Sequence, residues 1–337
     1  MWRFYLFLYY FTLVLGTAIA VMTNSWLITW AGLEVNLLAF MPLMAKLNTK
    51  FSSEATIKYF LTQALASLVF LLSSVFLSLE YPFNSIELDP IYTFVLCSAL
   101  LLKIGAAPFH SWLPEVMAGS NWKINFILTT WQKMAPMIII FQSSPNPLFF
   151  SIIIILSSII SGIQGFNQTC LRKIMAYSSI NHSSWMIAAI LTSLTMWFYY
   201  YLIYILINFT LIFILNKFYI TNIYQLSKLF SSNKTMKFVF MFNFLNLGGL
   251  PPFIGFLPKW MVILSLIKNH FFGVATLLVI FTLITLYLYV RIAISTFSVN
   301  TEESLVIFFK KMNYFIIVVN IISLLSLIIC TILTNYM

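Results

Sequence analysis

Charge is what this sequence has least of. Only 8% of its 337 residues are Asp, Glu, Lys or Arg, and 61% are apolar, with mean hydropathy +0.98. Soluble domains carry roughly a quarter charged residues, so a water-soluble globular fold is excluded. Carboxylates are the scarcer sign, 8 against 18 Lys and Arg, for a net charge of +10. Those cations stand singly between apolar runs and form no stripe that could follow phosphates, which excludes nucleic acid as a partner. Cysteine is nearly lacking too. Cys97, Cys170 and Cys330 lie far apart and form no CxxC, zinc or iron–sulfur spacing. Neither GxGxxG nor GxxxxGK[ST] is present, so the usual dinucleotide and nucleotide loops are excluded. The chain is expected to hold no metal and no cofactor, and any redox chemistry belongs to a partner.

What the sequence does have is long apolar runs. They last about 20 residues, the length of a membrane-crossing helix, and lack the short alternation of a β-barrel. The expected fold is an all-α integral membrane protein with about eleven spans, near 4–22, 25–45, 57–79, 91–108, 122–142, 148–166, 173–192, 195–216, 238–256, 271–298 and 312–334. Thirteen Lys and Arg, among them Arg3, Lys58, Lys123, Arg172, Lys217 and Lys310, then fall on the side of the amino terminus. The other side receives Lys268, and Lys259 if that residue lies outside the membrane. Basic loops stay cytoplasmic or on the matrix side, which orients the chain. The first run reads as a retained helix and no Arg- and Ser-rich leader precedes it, so synthesis inside an organelle is expected.

The fourth and ninth spans end alike. One runs Lys103-Ile-Gly105-Ala-Ala-Pro108-Phe109-His110, the other Gly248-Gly249-Leu-Pro251-Pro252-Phe253-Ile-Gly255. Grouping five spans on each side predicts two antiporter-like repeats, 1–142 and 143–299, inverted relative to each other, and a C-terminal segment 300–337 with the eleventh helix. Paired broken helices are a transporter signature, because unwound backbone is tolerated only where it lines a cavity.

Charged residues inside such spans are functional candidates. Glu34 lies ten residues into the second span, about 15 Å deep at 1.5 Å per residue, near the bilayer midplane. Lys103 and Lys133 lie equally deep in the fourth and fifth. Two ammonium groups close together in low dielectric disfavour double protonation, so such a row can relay protons. The alternative is a static ion pair, for instance Glu34 with Lys103. His182 occupies the counterpart of Glu34 in the second repeat and suits either proton transfer or packing. Lys259, after the Pro-Pro break, lines a second cavity or anchors at the interface beside Trp260. Glu54 and Lys58 read as an i, i+4 pair near the start of the third span. His110 and Glu115 read as loop residues without a third metal ligand.

Six segments together resemble a known family: Trp30-Ala-Gly32-Leu-Glu34-Val-Asn36, Glu54-Ala-Thr-Ile-Lys58 through Gln63, Leu100 through Trp112, Trp131-Gln-Lys133-Met-Ala-Pro136, Asn167 through His182 and Leu247 through Trp260. In order and spacing they are similar to the chain 2 family of NADH-ubiquinone oxidoreductase, of mitochondrial respiratory complex I. The length resembles the animal form and the composition the arthropod one. The resemblance implies an antiporter-like subunit of the inner-membrane arm, with its amino terminus in the matrix and its carboxyl terminus in the intermembrane space. Implied neighbours are chains 4L and 4, the lateral helix of chain 5, accessory subunits and membrane lipids. NADH, FMN, iron–sulfur clusters and ubiquinone would be handled by partner subunits. Glu34, Lys103, Lys133 and Lys259 resemble the family's central hydrophilic axis, with His182 on or beside it. Ser183-Ser184 departs from the family's usual Leu-Gly. Two readings from other classes stay open: an Mrp-type cation/proton antiporter subunit, and a passive membrane scaffold.

Overall fold

The computed structural model describes residues 2–45, 49–80, 90–143, 146–230 and 234–297. Among the described residues every regular element is a helix. In order they are α1 Trp2–Met22, α2 Trp26–Ala45, α3 Lys50–Glu80, α4 Pro90–Ile104, α5 Trp112–Gly119, α6 Trp122–Thr129, α7 Trp131–Gln142, α8 Pro147–Phe166, α9 Leu171–Thr192, α10 Leu194–Phe218, α11 Ile223–Phe230, α12 Lys234–Gly248, α13 Phe256–Lys268 and α14 Phe272–Phe297. The expected eleventh span, 312–334, and the whole segment 300–337 lie outside the described residues.

Among the described residues seven helices are long and apolar enough to cross a membrane, with α6 and α7 counting as one. A helix suits hydrocarbon because it satisfies its own backbone. The hydroxyls follow the same rule: Ser73 Oγ donates to the Phe70 carbonyl at 2.8 Å and Ser157 Oγ to that of Ile154 at 3.0 Å.

Two expectations need correction. The stretch read as a loop around Trp112 and Glu115 is the helix α5, and the span 122–142 is interrupted at Thr130, between α6 and α7. In the first case Trp112, Leu113, Val116 and Met117 are all buried, so tertiary burial of an apolar face forms a helix that eight residues could not hold alone.

The chain forms two compact units, Met1–Ile153 and the part from Ile154 onward, divided inside α8. The boundary expected at 142/143 sits in the loop before that helix. Within the first unit, α1 and α2 touch backbone to backbone. A Cβ added at Gly32 would lie 2.6 Å from the Ala20 nitrogen, and one at Gly16 2.8 Å from the Asn36 nitrogen. Small residues permit this approach, and it fixes the helix that carries Glu34.

Contacts between helix ends agree with up-and-down threading inside each unit. Lys58 near the start of α3 meets Glu115 of α5 at 2.6 Å. In the second unit Arg291 of α14 donates to the Phe166 carbonyl ending α8 at 2.8 Å. The turns after α8 and α10 join through an antiparallel bridge between Cys170 and Asn222.

Candidate functional site

The two breaks anticipated from the sequence have the same backbone. α4 stops at Ile104 and Gly105 turns to φ +74°; α12 stops at Gly248 and Gly249 turns to φ +77°. In the first, the Leu101 carbonyl accepts from both Gly105 and Ala106 N–H; in the second, the Leu245 carbonyl accepts from Gly249 and Leu250. This left-handed C-cap favours glycine. At each break helix-end carbonyls accept from side chains of the protein.

Around the first break, Lys103 on α4 is 7% exposed and Lys133 on α7 only 1%. Glu34 on α2 is half-buried, and its Oε2 is buried without a hydrogen-bond partner. Among the described residues the one ion pair is Lys58–Glu115. The static Glu34–Lys103 pair weighed above is therefore not formed. Beside Lys103 lies a small cavity whose polar lining is Asn36, Tyr59, Gln63, Lys103 and Gln132, with room for about one water molecule. Its polar wall was not read from the sequence. Gln132 donates to Asn36 Oδ1 at 3.1 Å, tying α7 to α2, and Gln63 donates to the Lys103 carbonyl at 3.3 Å.

Lys58 takes Glu115 as its ion-pair partner, a correction to the Glu54 pairing, and both side chains are about half exposed, 50% and 54%. His110 is buried in the turn between α4 and α5, with Nδ1 3.3 Å from the Pro108 carbonyl. Among the described residues no group of three metal-ligating side chains exists.

In the second unit His182 on α9 is 5% exposed and its Nδ1 lies 2.8 Å from the Tyr200 hydroxyl. Tyr204 packs against the same imidazole, tilted at 42° with ring centroids 5.0 Å apart. Tyr200, Tyr204 and Asn208 are spaced four residues apart on α10, one face of the helix. That polar row in an apolar span was a signal the sequence reading passed over. Ser183 and Ser184 donate back to the carbonyls of Ile180 and Asn181 at 2.7 and 2.6 Å, so the departure at these positions is absorbed by their own helix. Lys259, on α13, is 8% exposed. Its Nζ donates to the Gly248 carbonyl at 2.7 Å and sits 5.9 Å from the centroid of Trp185. Of the two placements left open for it, this is the interior one, at the break.

Comparison with known proteins bears on this arrangement. Residues 23–285 match the family model "NADH:quinone oxidoreductase/Mrp antiporter, TM". The chain is similar to NADH-ubiquinone oxidoreductase chain 2 of Anopheles gambiae, 44% identical over 87% of this chain and 86% of that one. It is 38% identical to the chain of the same name from Locusta migratoria, over 97% and 95%. Among solved structures, a chain of respiratory complex I from Thermus thermophilus superposes with TM-score 0.82 at 24% identity, covering 96% of this chain and 78% of that one. That likeness concerns the fold.

Proposed function

The chain belongs to the NADH:quinone oxidoreductase/Mrp antiporter family, and from that membership we propose that it is a proton-translocating membrane-arm subunit of respiratory complex I. Identity to chain 2 subunits over most of its length supports complex I above an Mrp-type antiporter within the same family. NADH oxidation and ubiquinone reduction occur in other subunits, which carry the flavin and clusters; this chain contributes to the same enzyme through buried charge. The observation that carries the relay is the burial of Lys103, Lys133 and Lys259 inside apolar helices, with Glu34 on α2 in the unit of the first two and His182 on α9 in the unit of the third.

In this reading eleven spans form two inverted five-helix repeats and one further helix. Each repeat holds its charged groups beside a broken helix, Lys103 at the first and Lys259 at the second. A change in charge state delivered from the redox subunits moves protons along Glu34, Lys103 and Lys133, and along His182 and Lys259. The polar cavity beside Lys103 suits a bridging water, which a proton needs to pass between groups not in contact. The chain resides in the mitochondrial inner membrane with the amino terminus in the matrix, between chains 4L and 4 and beneath the lateral helix of chain 5. Purification in mild detergent tests the assignment: co-migration with a large NADH-oxidising assembly is expected, and isolation in a small transporter complex would overturn it.

A further inference from the structure

A long stretch of the chain is built without carboxylates. No Asp or Glu occurs from position 116 to position 301, and Lys259 is buried within that stretch. An uncompensated buried ammonium is costly, by several kcal/mol in real proteins. The first unit, by contrast, holds a half-buried carboxylate, Glu34 on α2. Lys259 has instead the Gly248 carbonyl, 2.7 Å from Nζ, on the last residue of α12. The free carbonyls at a helix C-terminus carry the equivalent of about half a negative charge.

The first break is capped differently. There the Leu102 carbonyl accepts from the Trp112 indole at 3.1 Å and the Lys103 carbonyl from the Gln63 amide at 3.3 Å, both neutral donors. A cation caps the second. We propose that the C-terminus of α12 is the counter-charge of Lys259, and that Gly249 is the positioning residue that admits the ammonium to it. Gly249 has φ +77°, and a Cβ there would lie 3.0 Å from both Cδ and Nζ of Lys259. A side chain at 249 is strained at this φ and crowds the ammonium, which must shift by a few tenths of an ångström against the carbonyl. Asn246 braces the far side of the break, its Oδ1 accepting from the Gly255 N–H at 2.8 Å. A half charge steadies the ammonium while leaving it able to yield its proton; a full carboxylate at that spot would hold the proton in place.

The inference rests on the relay role proposed for Lys259, and the experiment separates the two. Intact complex is reconstituted in vesicles, and turnover and protons per electron are read for four variants. Lys259→Met should lose both; if it behaves as wild type, the relay role fails. Gly249→Ala should reduce turnover by roughly tenfold, the factor carried by about 1.4 kcal/mol, with a fall in protons per electron. Asn246→Asp keeps the acceptor for Gly255 and adds a full charge beside the helix end, and a comparable fall is expected. Gly273→Ala should change nothing, since a Cβ there meets no atom within 4 Å. With Lys259→Met impaired, wild-type turnover and stoichiometry in assembled Gly249→Ala or Asn246→Asp would overturn the counter-charge. If Gly249→Ala does not assemble, Asn246→Asp and a structure of the native complex decide. That structure should show the Gly248 contact retained, and a neighbouring subunit's carboxylate in ion-pair contact with Nζ would refute the proposal.

Discussion

Glu34 shows how a single residue is tuned by what it does not touch. Its Oε2 is buried without a hydrogen bond, and no ion pair holds it to Lys103. A bonded pair would be rigid, whereas a separated one responds to a charge arriving at either member. Glu34→Gln removes the charge and keeps the shape. Pumping and quinone-linked turnover should fall together by up to roughly tenfold, about 1.4 kcal/mol, in a complex that still assembles. Unchanged turnover and unchanged protons per electron in the variant would remove Glu34 from the mechanism. At His182 the expectation concerns orientation. The Tyr200 hydroxyl can donate to or accept from Nδ1, so it serves the imidazole in either protonation state. Tyr200→Phe keeps the ring and should slow proton-coupled turnover while NADH oxidation with an artificial acceptor, measured in the same preparation, is retained.

Among the elements, the close approach of α1 and α2 positions the helix that carries Glu34. α1 and α2 meet at Gly16 and Gly32 with no room for a methyl group. Gly32→Leu forces the helices apart and should cost about 1–3 kcal/mol of packing, read as loss of assembled complex in native gels at raised temperature; full assembly there would show that α2 is placed by other contacts. The exposed Lys58–Glu115 pair joins α3 to α5, but exposed pairs contribute little. Glu115→Gln should accordingly leave assembly intact. The breaks after α4 and α12 are legible at this scale because Gly, Pro and Phe recur in order; α5 and the interruption at Thr130 are not, since both depend on neighbours that cover one face of a short helix.

For the whole molecule, a passive scaffold and a proton relay make opposite forecasts. Lys103→Met in an assembled complex should abolish proton pumping and suppress turnover with it; full pumping would return the chain to the scaffold class. Composition alone determined that this is a helical membrane protein, because lipid accepts long apolar runs only as self-satisfied helices. Depth along each run likewise singled out Glu34, Lys103 and Lys133, since a charge near mid-span cannot reach water by its own length. Which groups face one another was decided only by tertiary structure. That Lys58 pairs with Glu115 and not Glu54, that Gln63 and Gln132 wall the Lys103 cavity, and that Lys259 ends on the Gly248 carbonyl are contacts between residues distant in sequence or joined across a turn. Side-chain periodicity records which face of a helix is buried, but carries no record of the partner that buries it.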